Sequence, residues 1–228
     1  MKTFSTDSWA VTIGSDGEFT GAITYLGYPT FFKENSLIKI AISGNGADQT
    51  KETVCRGVQK GCGGSLCVVN EILYYKAQTA ICAYDGSLPQ PISKKLGDMS
   101  EYTYAVGGRN KECYYIRVAN GSDSHIFVYD TLKGMWCEDD HTEYAHFTTW
   151  NNILCGSIAS TIHAFDTGLA MQQTEESYNT IEWRFETRTM DYSTPDNKYI
   201  HRVIIKAFMG AKAKARAWIR YDDGMYER

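Results

Sequence analysis

The segment Ile126-Phe127-Val128-Tyr129-Asp130 has two close counterparts in the chain. These are Ile81-Cys82-Ala83-Tyr84-Asp85 and Ile162-His163-Ala164-Phe165-Asp166, and a weaker copy begins at Leu37-Ile38-Lys39-Ile40. Between successive isoleucines (38, 81, 126 and 162), the copies are spaced by 43, 45 and 36 residues. A repeat of about 40 residues made of short strands is typical of β-propeller blades.

The residues before each copy also correspond. A turn and a strand precede the second copy at Val69-Asn70-Glu71-Ile72 and the fourth copy at Trp150-Asn151-Asn152-Ile153. A four-stranded sheet cannot bury both of its faces alone, whereas blades packed around an axis cover one another. We therefore predict an all-β fold with β-propeller-like blades of short antiparallel strands over residues 1–174. A generic β-meander with coincidental spacing is the alternative.

The aspartate that ends each clear copy is predicted to have a structural role. Asp85, Asp130 and Asp166 follow the aromatic residue at the same position of the repeat. Such a side chain can accept hydrogen bonds from nearby backbone amides and fix the turn. Because the position recurs, a role in the blade turn is favoured over a pair of catalytic carboxylates for glycoside hydrolysis.

The sequence changes character after about residue 174. Residues 180–187, 202–208 and 211–221 alternate between two kinds of side chain, which is typical of strands. In the last segment the alternation predicts a basic strand face that could contact DNA phosphates or an acidic partner. Its residues are Lys212, Lys214, Arg216 and Arg220. We predict an antiparallel β-sandwich-like module over residues 175–228.

The predicted blades are few, and the final strand lacks a return partner. Only four blade-like copies are found, of which the first is weak. Only four residues follow the turn signal Asp222-Asp223-Gly224, too few for a return strand. Closed propellers have four to eight blades. The chain is therefore expected to be a fragment, or to close its ring with other material.

Composition and charge exclude several classes of protein. The 228 residues are 43% hydrophobic and 22% charged, and the net charge is −4. This balance does not indicate a nucleic-acid coat or a disordered chain. No segment approaches the ~20 apolar residues of a membrane span, and residues 1–7 lack the apolar core of a secretory signal. We predict no membrane span.

The cysteines do not predict a disulfide framework or a metal site. The seven residues are irregularly spaced and contain no CxxC motif, so free thiols in a reducing compartment are the favoured interpretation. The spacing of Cys55, Cys62 and Cys67 is wider than that of usual zinc ligands.

Two further segments contain side chains with the chemistry of a cation site or of a nucleophile. The segment Cys137-Glu138-Asp139-Asp140-His141 could bind a divalent cation, but it lacks the register of a calcium loop, and a solvated acidic loop is favoured. The turn Gly61-Cys62-Gly63-Gly64-Ser65 is only loosely similar to a nucleophile turn. We predict no catalytic residue, no cofactor and no metal.

Several segments resemble a known family. These are Phe31-Phe32-Lys33-Glu34-Asn35-Ser36-Leu37-Ile38-Lys39-Ile40, the stretch at 57–66, Tyr84-Asp85-Gly86-Ser87-Leu88-Pro89-Gln90-Pro91-Ile92-Ser93, Trp183-Arg184-Phe185-Glu186-Thr187 and Tyr221-Asp222-Asp223-Gly224. They are similar to stretches of β-propeller structural proteins of tailed bacteriophages and prophages, which include head-to-tail hub, packaged-DNA stabilisation and tail components. The resemblance spans roughly residues 9–224 and carries over no catalytic residue.

The resemblance implies a virion structural protein, an adaptor or tail component, that acts by protein–protein assembly. Its expected partners are other virion subunits in an oligomer, with contact to DNA or glycan left open, and its expected location is the virion, assembled in the bacterial cytoplasm. The abundant tyrosine, 16 residues, would form contact patches against neighbouring subunits. The alternatives are a carbohydrate-binding or glycan-cleaving propeller and a kelch-like cellular interaction module.

Overall fold

The computed structural model describes residues 16–41, 49–121, 123–139, 141–165, 202, 204–206 and 214–219. The chain divides into two compact units, residues 1–172 and residues 173–228. The described part of the first unit is all-β, with four antiparallel sheets and two single-turn 3-10 helices, Gly63–Ser65 and Lys94–Leu96. Within the described ranges, no helix has the length and hydropathy that crossing a bilayer requires.

The first two sheets each contain four strands. Sheet 1 consists of β1 (Gly21–Tyr25), β2 (Tyr28–Phe32), β3 (Ser36–Ala41) and β4 (Gln49–Val54). Sheet 2 consists of β5 (Cys67–Val69), β6 (Ile72–Lys76), β7 (Ile81–Tyr84) and β8 (Gln90–Pro91).

The next two sheets continue the same arrangement. Sheet 3 consists of β9 (Tyr104–Asn110), β10 (Cys113–Ala119), β11 (Ser124–Asp130) and β12 (Met135–Glu138). Sheet 4 has three described strands, β13 (His146–Trp150), β14 (Ile153–Ile158) and β15 (Thr161–Ala164). In every sheet each strand pairs with the next strand of the chain, so all four sheets are simple meanders.

The sequence repeat coincides with the order of the strands. Ile38, Ile81, Ile126 and Ile162 lie in β3, β7, β11 and β15, which are the third strands of the four sheets. The first three side chains are fully buried, whereas Ile162 is 72% exposed. The fourth copy therefore repeats the strand position but not the environment of the others.

Tight turns join the first and second strands of each sheet. In sheets 1, 2 and 4 both residues of the two-residue loop have positive φ: Leu26 (48°) and Gly27 (80°), Asn70 (48°) and Glu71 (64°), Asn151 (48°) and Asn152 (61°). Positive φ at both positions defines the type I′ turn, whose twist matches that of paired antiparallel strands. Asparagine tolerates this conformation better than most residues, which explains its presence at these turns.

The first strands of sheets 2, 3 and 4 lie next to one another. Strand β9 contacts both β5 and β13, and β1 contacts the Gly63–Ser65 turn that precedes β5. The largest fully buried side chains include Tyr75, Tyr114 and Phe32, which come from three different sheets. One apolar core therefore extends through sheets 1, 2 and 3.

The described residues of the second unit do not form the predicted strands. Residues 202, 204–206 and 214–218 have no strand assignment, and Ile219 forms a single β-bridge. Residues 214–218 are all exposed, so cations and small apolar side chains share the same environment there. Alternation assigns side chains to faces but supplies no hydrogen-bonding partner, and a strand needs both. The β-sandwich-like module and its boundary at residue 174 stay predictions.

Candidate functional site

Two histidines and a glutamate meet at one end of sheet 3. The His125 Nδ1 atom lies 2.6 Å from Glu138 Oε1, and His141 Nδ1 lies 3.8 Å from the same oxygen. The two imidazole rings are 4.9 Å apart between centroids, at 74°. One potential ligand atom from each residue lies within 4.8 Å of the other two. Among the described residues, these three side chains form the group whose donor atoms lie close enough together to hold a metal ion.

The pairing of β11 with β12 brings these side chains together. Glu138 is the partner of Phe127 across the sheet, and His125 lies two residues before Phe127, so all three side chains share one face. Beyond β12 the Asp139 amide donates to the Ile126 carbonyl (2.8 Å). This bond keeps the chain close to β11 and places His141 beside His125.

Packing and hydrogen bonds hold both rings. The His125 ring stacks on Phe127 (5.7 Å, 3°) and meets the edge of Tyr102 at 5.8 Å. The Nδ1 atom of His141 lies 2.9 Å from the Ser124 carbonyl oxygen, which can only accept a hydrogen bond. His141 therefore donates from Nδ1, and the lone pair of its neutral ring is on Nε2.

The surroundings of the cluster are mainly acidic and polar. An open cleft of about 320 Å³ is lined by Asp123, Ser124, His125, His141 and Glu143. Arg117 contacts this lining at Ser124: its Nε donates to Ser124 Oγ (2.7 Å), and its Nη1 donates to the Tyr144 carbonyl (2.8 Å).

The sequence identified part of this cluster and missed the rest. Glu138 and His141 belong to the acidic segment for which the sequence favours a solvated loop over a cation site. Cys137 of the same segment pairs with Val128 and points to the opposite face. Asp140 lies outside the described residues. Sequence reasoning missed His125 because its nearness to Glu138 depends on the register between β11 and β12. The one available signal was the alternation of His125, Phe127 and Tyr129, which places the three side chains on one strand face.

The repeated aspartates organise turns where the structure describes them. Asp85 Oδ1 accepts hydrogen bonds from the Ser87 hydroxyl (2.5 Å) and amide (2.9 Å), and these bonds lower its pKa. Asp130 Oδ1 accepts from the amides of Leu132 and Lys133, both at 3.0 Å, and the side-chain bond from Lys133 lowers the Asp130 pKa most. Asp166 lies outside the described residues.

The predicted basic face is described only in part. Lys214 and Arg216 are exposed, which is the environment that contact with phosphate or an acidic partner requires. Lys212 and Arg220 lie outside the described residues, so the four cations are not seen on one face.

All seven cysteines are free thiols. Burial raises the pKa of Cys62, Cys67 and Cys82 to about 11 each. A thiol with so high a pKa is protonated near neutral pH and is a poor nucleophile. In the glycine-rich turn, Ser65 Oγ donates to the Cys62 carbonyl (2.6 Å) and accepts from the Lys76 amide (2.9 Å), so its hydroxyl has a structural role.

Lys76 is a fully buried lysine. Its ammonium donates to Gln59 Oε1 (2.5 Å), to the Ala77 carbonyl (2.7 Å) and to the Gln78 carbonyl (3.2 Å). Burial lowers its pKa. The three donors of the ammonium are thus used to join β6 to the segments beside it.

Comparison of the chain with protein-family models and with curated protein sequences gives no match.

Proposed function

We propose that the four sheets are blades of a β-propeller and that the chain is a structural component of a phage or prophage virion, an adaptor or tail protein. One observation carries the proposal of a propeller. The first strands of sheets 2, 3 and 4 lie against one another, with β9 between β5 and β13, as expected for the inner strands of blades around an axis. The phage assignment rests on the family resemblance of the sequence.

Contacts between successive sheets suit a rigid scaffold. Aromatic side chains of one sheet donate hydrogen bonds to backbone carbonyls in or next to a neighbouring sheet. These bonds are Tyr25 to Glu71 (2.7 Å), Tyr114 to Ser65 (2.8 Å), Trp136 to Ile92 (3.0 Å) and Tyr104 to Ala145 (2.7 Å). Of the eleven described tyrosines, ten are buried or half-buried, and Tyr28 alone is exposed. In the described part of the chain, tyrosine thus joins the sheets to one another more than it supplies patches for other subunits.

The outer face of sheet 4 offers a surface for assembly. Phe147 and Leu154 approach Gly108 of sheet 3, so their face is the covered one. Trp150 pairs with Ile153 and Ile162 with Ser157, which places both side chains on the opposite face. There Trp150 is 73% exposed and Ile162 is 72% exposed. Large exposed apolar side chains on one sheet face are typical of a subunit contact.

A sugar-binding function has less support. Stacking on a sugar ring needs an exposed aromatic side chain within a cleft. The open cleft at His125 contains none among its lining residues, and a second cleft near Glu18 and Lys60 contains none either. Subunit assembly is therefore the function that the described surfaces favour.

The assembly proposal is tested by the mass of the full chain in solution. Light scattering is expected to give a multiple of 25.7 kDa for the natural sequence. The double variant Trp150→Glu/Ile162→Glu places two charges on the outer face of sheet 4 and is expected to give a single-chain mass. The control is Leu132→Glu, at a side chain that is 76% exposed in the β11–β12 turn, and it should retain the multiple.

A single-chain mass for the natural sequence contradicts assembly by the chain alone. Equal masses for the natural chain and the double variant contradict the choice of the sheet 4 face. The virion assignment has a separate test, which is to sequence the DNA on either side of the gene. Capsid and terminase genes beside it support the assignment, and a neighbourhood of cellular genes contradicts it.

A further inference from the structure

We propose that His125, Glu138 and His141 bind one divalent transition-metal ion of the zinc class and that this ion fastens the segment after β12 to β11. The proposal is independent of the proposed function. It concerns a site at the end of sheet 3, away from the outer face of sheet 4, and it assigns no reaction.

The donor set determines the class of metal. Two imidazoles and one carboxylate suit Zn²⁺ and similar borderline ions, whereas Ca²⁺ and Mg²⁺ prefer oxygen ligands only. Two neutral imidazoles and one carboxylate also leave a single negative charge against the two positive charges of the ion. The carboxylates of Asp123 and Glu143 on the same cleft add to the attraction for a cation.

The present distances are close to those of a bound site. Ligand atoms around a tetrahedral zinc ion at about 2.0–2.1 Å are separated from one another by about 3.3 Å. Here the Glu138 oxygen lies 2.6 Å from His125 Nδ1, and one potential ligand atom from each of the three residues lies within 4.8 Å of the other two. Side-chain movements of about 1–1.5 Å would bring the ligand atoms to the required separation. The exposure of the Glu138 and His141 side chains, 46% and 69%, permits such movements.

The hydrogen-bonded partners around the rings support metal ligation. Metal-binding histidines nearly always donate their second ring nitrogen to a carbonyl or carboxylate, which orients the ring. His141 makes such a bond to the Ser124 carbonyl, so its Nε2 is the atom available to a metal. His125 Nδ1 and Glu138 Oε1 are joined by a hydrogen bond, and a bound ion would replace the proton of that bond.

The fixed part of the site belongs to sheet 3. His125 is held between Phe127 and Tyr102, and Glu138 is held by the pairing of β12 with β11. His141 lies on the segment that follows β12. Binding of an ion by all three residues would therefore fasten this segment to β11 and stabilise the folded state in proportion to the affinity.

The test is Zn²⁺ titration by calorimetry of the full chain, reduced and freed of metal with a chelator. We expect one equivalent of Zn²⁺ per chain. Glu138→Gln and His141→Ala should each weaken binding by at least about tenfold. His146→Ala removes an exposed histidine outside the cluster, and this control should bind as tightly as the natural chain. Glu143→Gln removes a carboxylate of the same cleft that is not a proposed ligand, so it should weaken binding less than Glu138→Gln does.

A second probe distinguishes this site from the free thiols. Cys137 is exposed and adjacent to Glu138 in sequence, so it is the competing ligand to remove. Cys137→Ser should leave the Zn²⁺ affinity unchanged, and bound Co²⁺ should show visible d–d absorption without the near-ultraviolet band of a thiolate complex. Zn²⁺ should also raise the melting temperature of the natural chain more than that of His141→Ala.

Three results overturn the proposal. They are the absence of stoichiometric Zn²⁺ binding, loss of binding in Cys137→Ser, and equal affinities for His141→Ala and His146→Ala. Because both exchanged histidines have exposed side chains, circular dichroism of the metal-free variants should match that of the natural chain, and a weakened affinity then reports the site and not a failure to fold.

Discussion

The hydroxyl of Tyr114 in β10 donates a hydrogen bond of 2.8 Å to the backbone carbonyl of Ser65, which precedes β5. Tyr114 is fully buried, and its ring stacks on Tyr74 of β6 at 5.1 Å. One side chain thus supplies both apolar packing and a polar contact between sheets 2 and 3. A donated hydrogen bond recurs between the other sheets, from the buried Tyr25 between sheets 1 and 2 and from the half-buried Tyr104 between sheets 3 and 4.

Removal of the Tyr114 hydroxyl should destabilise the first unit. Tyr114→Phe leaves the ring in place but deprives a buried carbonyl of its donor, which costs about 1–3 kcal/mol. Urea unfolding followed by tryptophan fluorescence measures the change. The control is Tyr28→Phe, where the side chain is 39% exposed and the free energy of unfolding should change by less than about 0.5 kcal/mol. Equal effects of the two exchanges would contradict the role of the Tyr114–Ser65 bond.

A methyl group between sheets 2 and 3 should also be destabilising. A Cβ atom at Gly107 would lie 2.5 Å from the Ser65 carbonyl oxygen and 2.9 Å from the Tyr114 ring, and the backbone carbonyl cannot move aside. We expect Gly107→Ala to lower the free energy of unfolding by about 1–3 kcal/mol or more. Gly86→Ala is the comparison, since that Cβ meets nothing within 4 Å and only the φ of 106° opposes it. If Gly107→Ala is the better tolerated exchange, the close approach of the sheets is wrong.

The first unit should lose stability at alkaline pH. The pKa values of Cys62, Cys67 and Cys82 rise from 9.0 to about 11 in the folded state. Their stabilising effect is complete below pH 9 and is lost as the pH rises through 11, because the unfolded chain releases these protons first. Each thiol should contribute a loss of about 2 kcal/mol between pH 8 and pH 10.5.

Urea unfolding under reducing conditions at several pH values measures this loss. Cys82→Ala should unfold more easily at every pH but show a shallower alkaline decline. Cys137→Ala, at an exposed thiol, should change the slope less. Parallel curves for the natural chain and Cys82→Ala would exclude the buried thiol as a cause.

Lys76 should give a pH dependence of the opposite sign. Burial lowers its pKa in the folded state, so between that value and 10.5 the unfolded chain binds more protons. The contribution of Lys76 to stability therefore increases with pH in this window. The difference in the free energy of unfolding between the natural chain and Lys76→Met should grow from pH 8 to pH 10. Lys76 also lowers the pKa of Cys62 and Cys82, so these two thiols cost the natural chain less stability as the pH rises, which acts in the same direction. A constant difference would show that the ammonium is not desolvated.

The sequence predicted the order of strands well because the repeat is local. The pattern around Ile81 and Ile126 contains alternating buried positions, an aromatic residue and a turn-forming aspartate, and all of these act within a few residues. The all-β fold is confirmed over the described residues of the first unit, where all four sheets are antiparallel.

Other features depend on contacts that a local pattern does not contain. His125 meets Glu138 through strand register, and Tyr114 meets Ser65 through the packing of two sheets. Alternation alone also led to the strand predicted over residues 211–221, where Lys214 and Arg216 are exposed and have no strand assignment. Pairing partners distant in sequence decide such features, and a single sequence does not specify them.

The central claim is that the sheets are blades around an axis and that the outer face of sheet 4 is a contact between subunits. An electron-microscopy reconstruction of the full chain tests both parts in one measurement. We expect a multimer in which β1, β5, β9 and β13 are the innermost strands and Trp150 is covered by a neighbouring subunit. A monomer with Trp150 in solvent, or sheets whose first strands do not surround a common axis, would contradict the account.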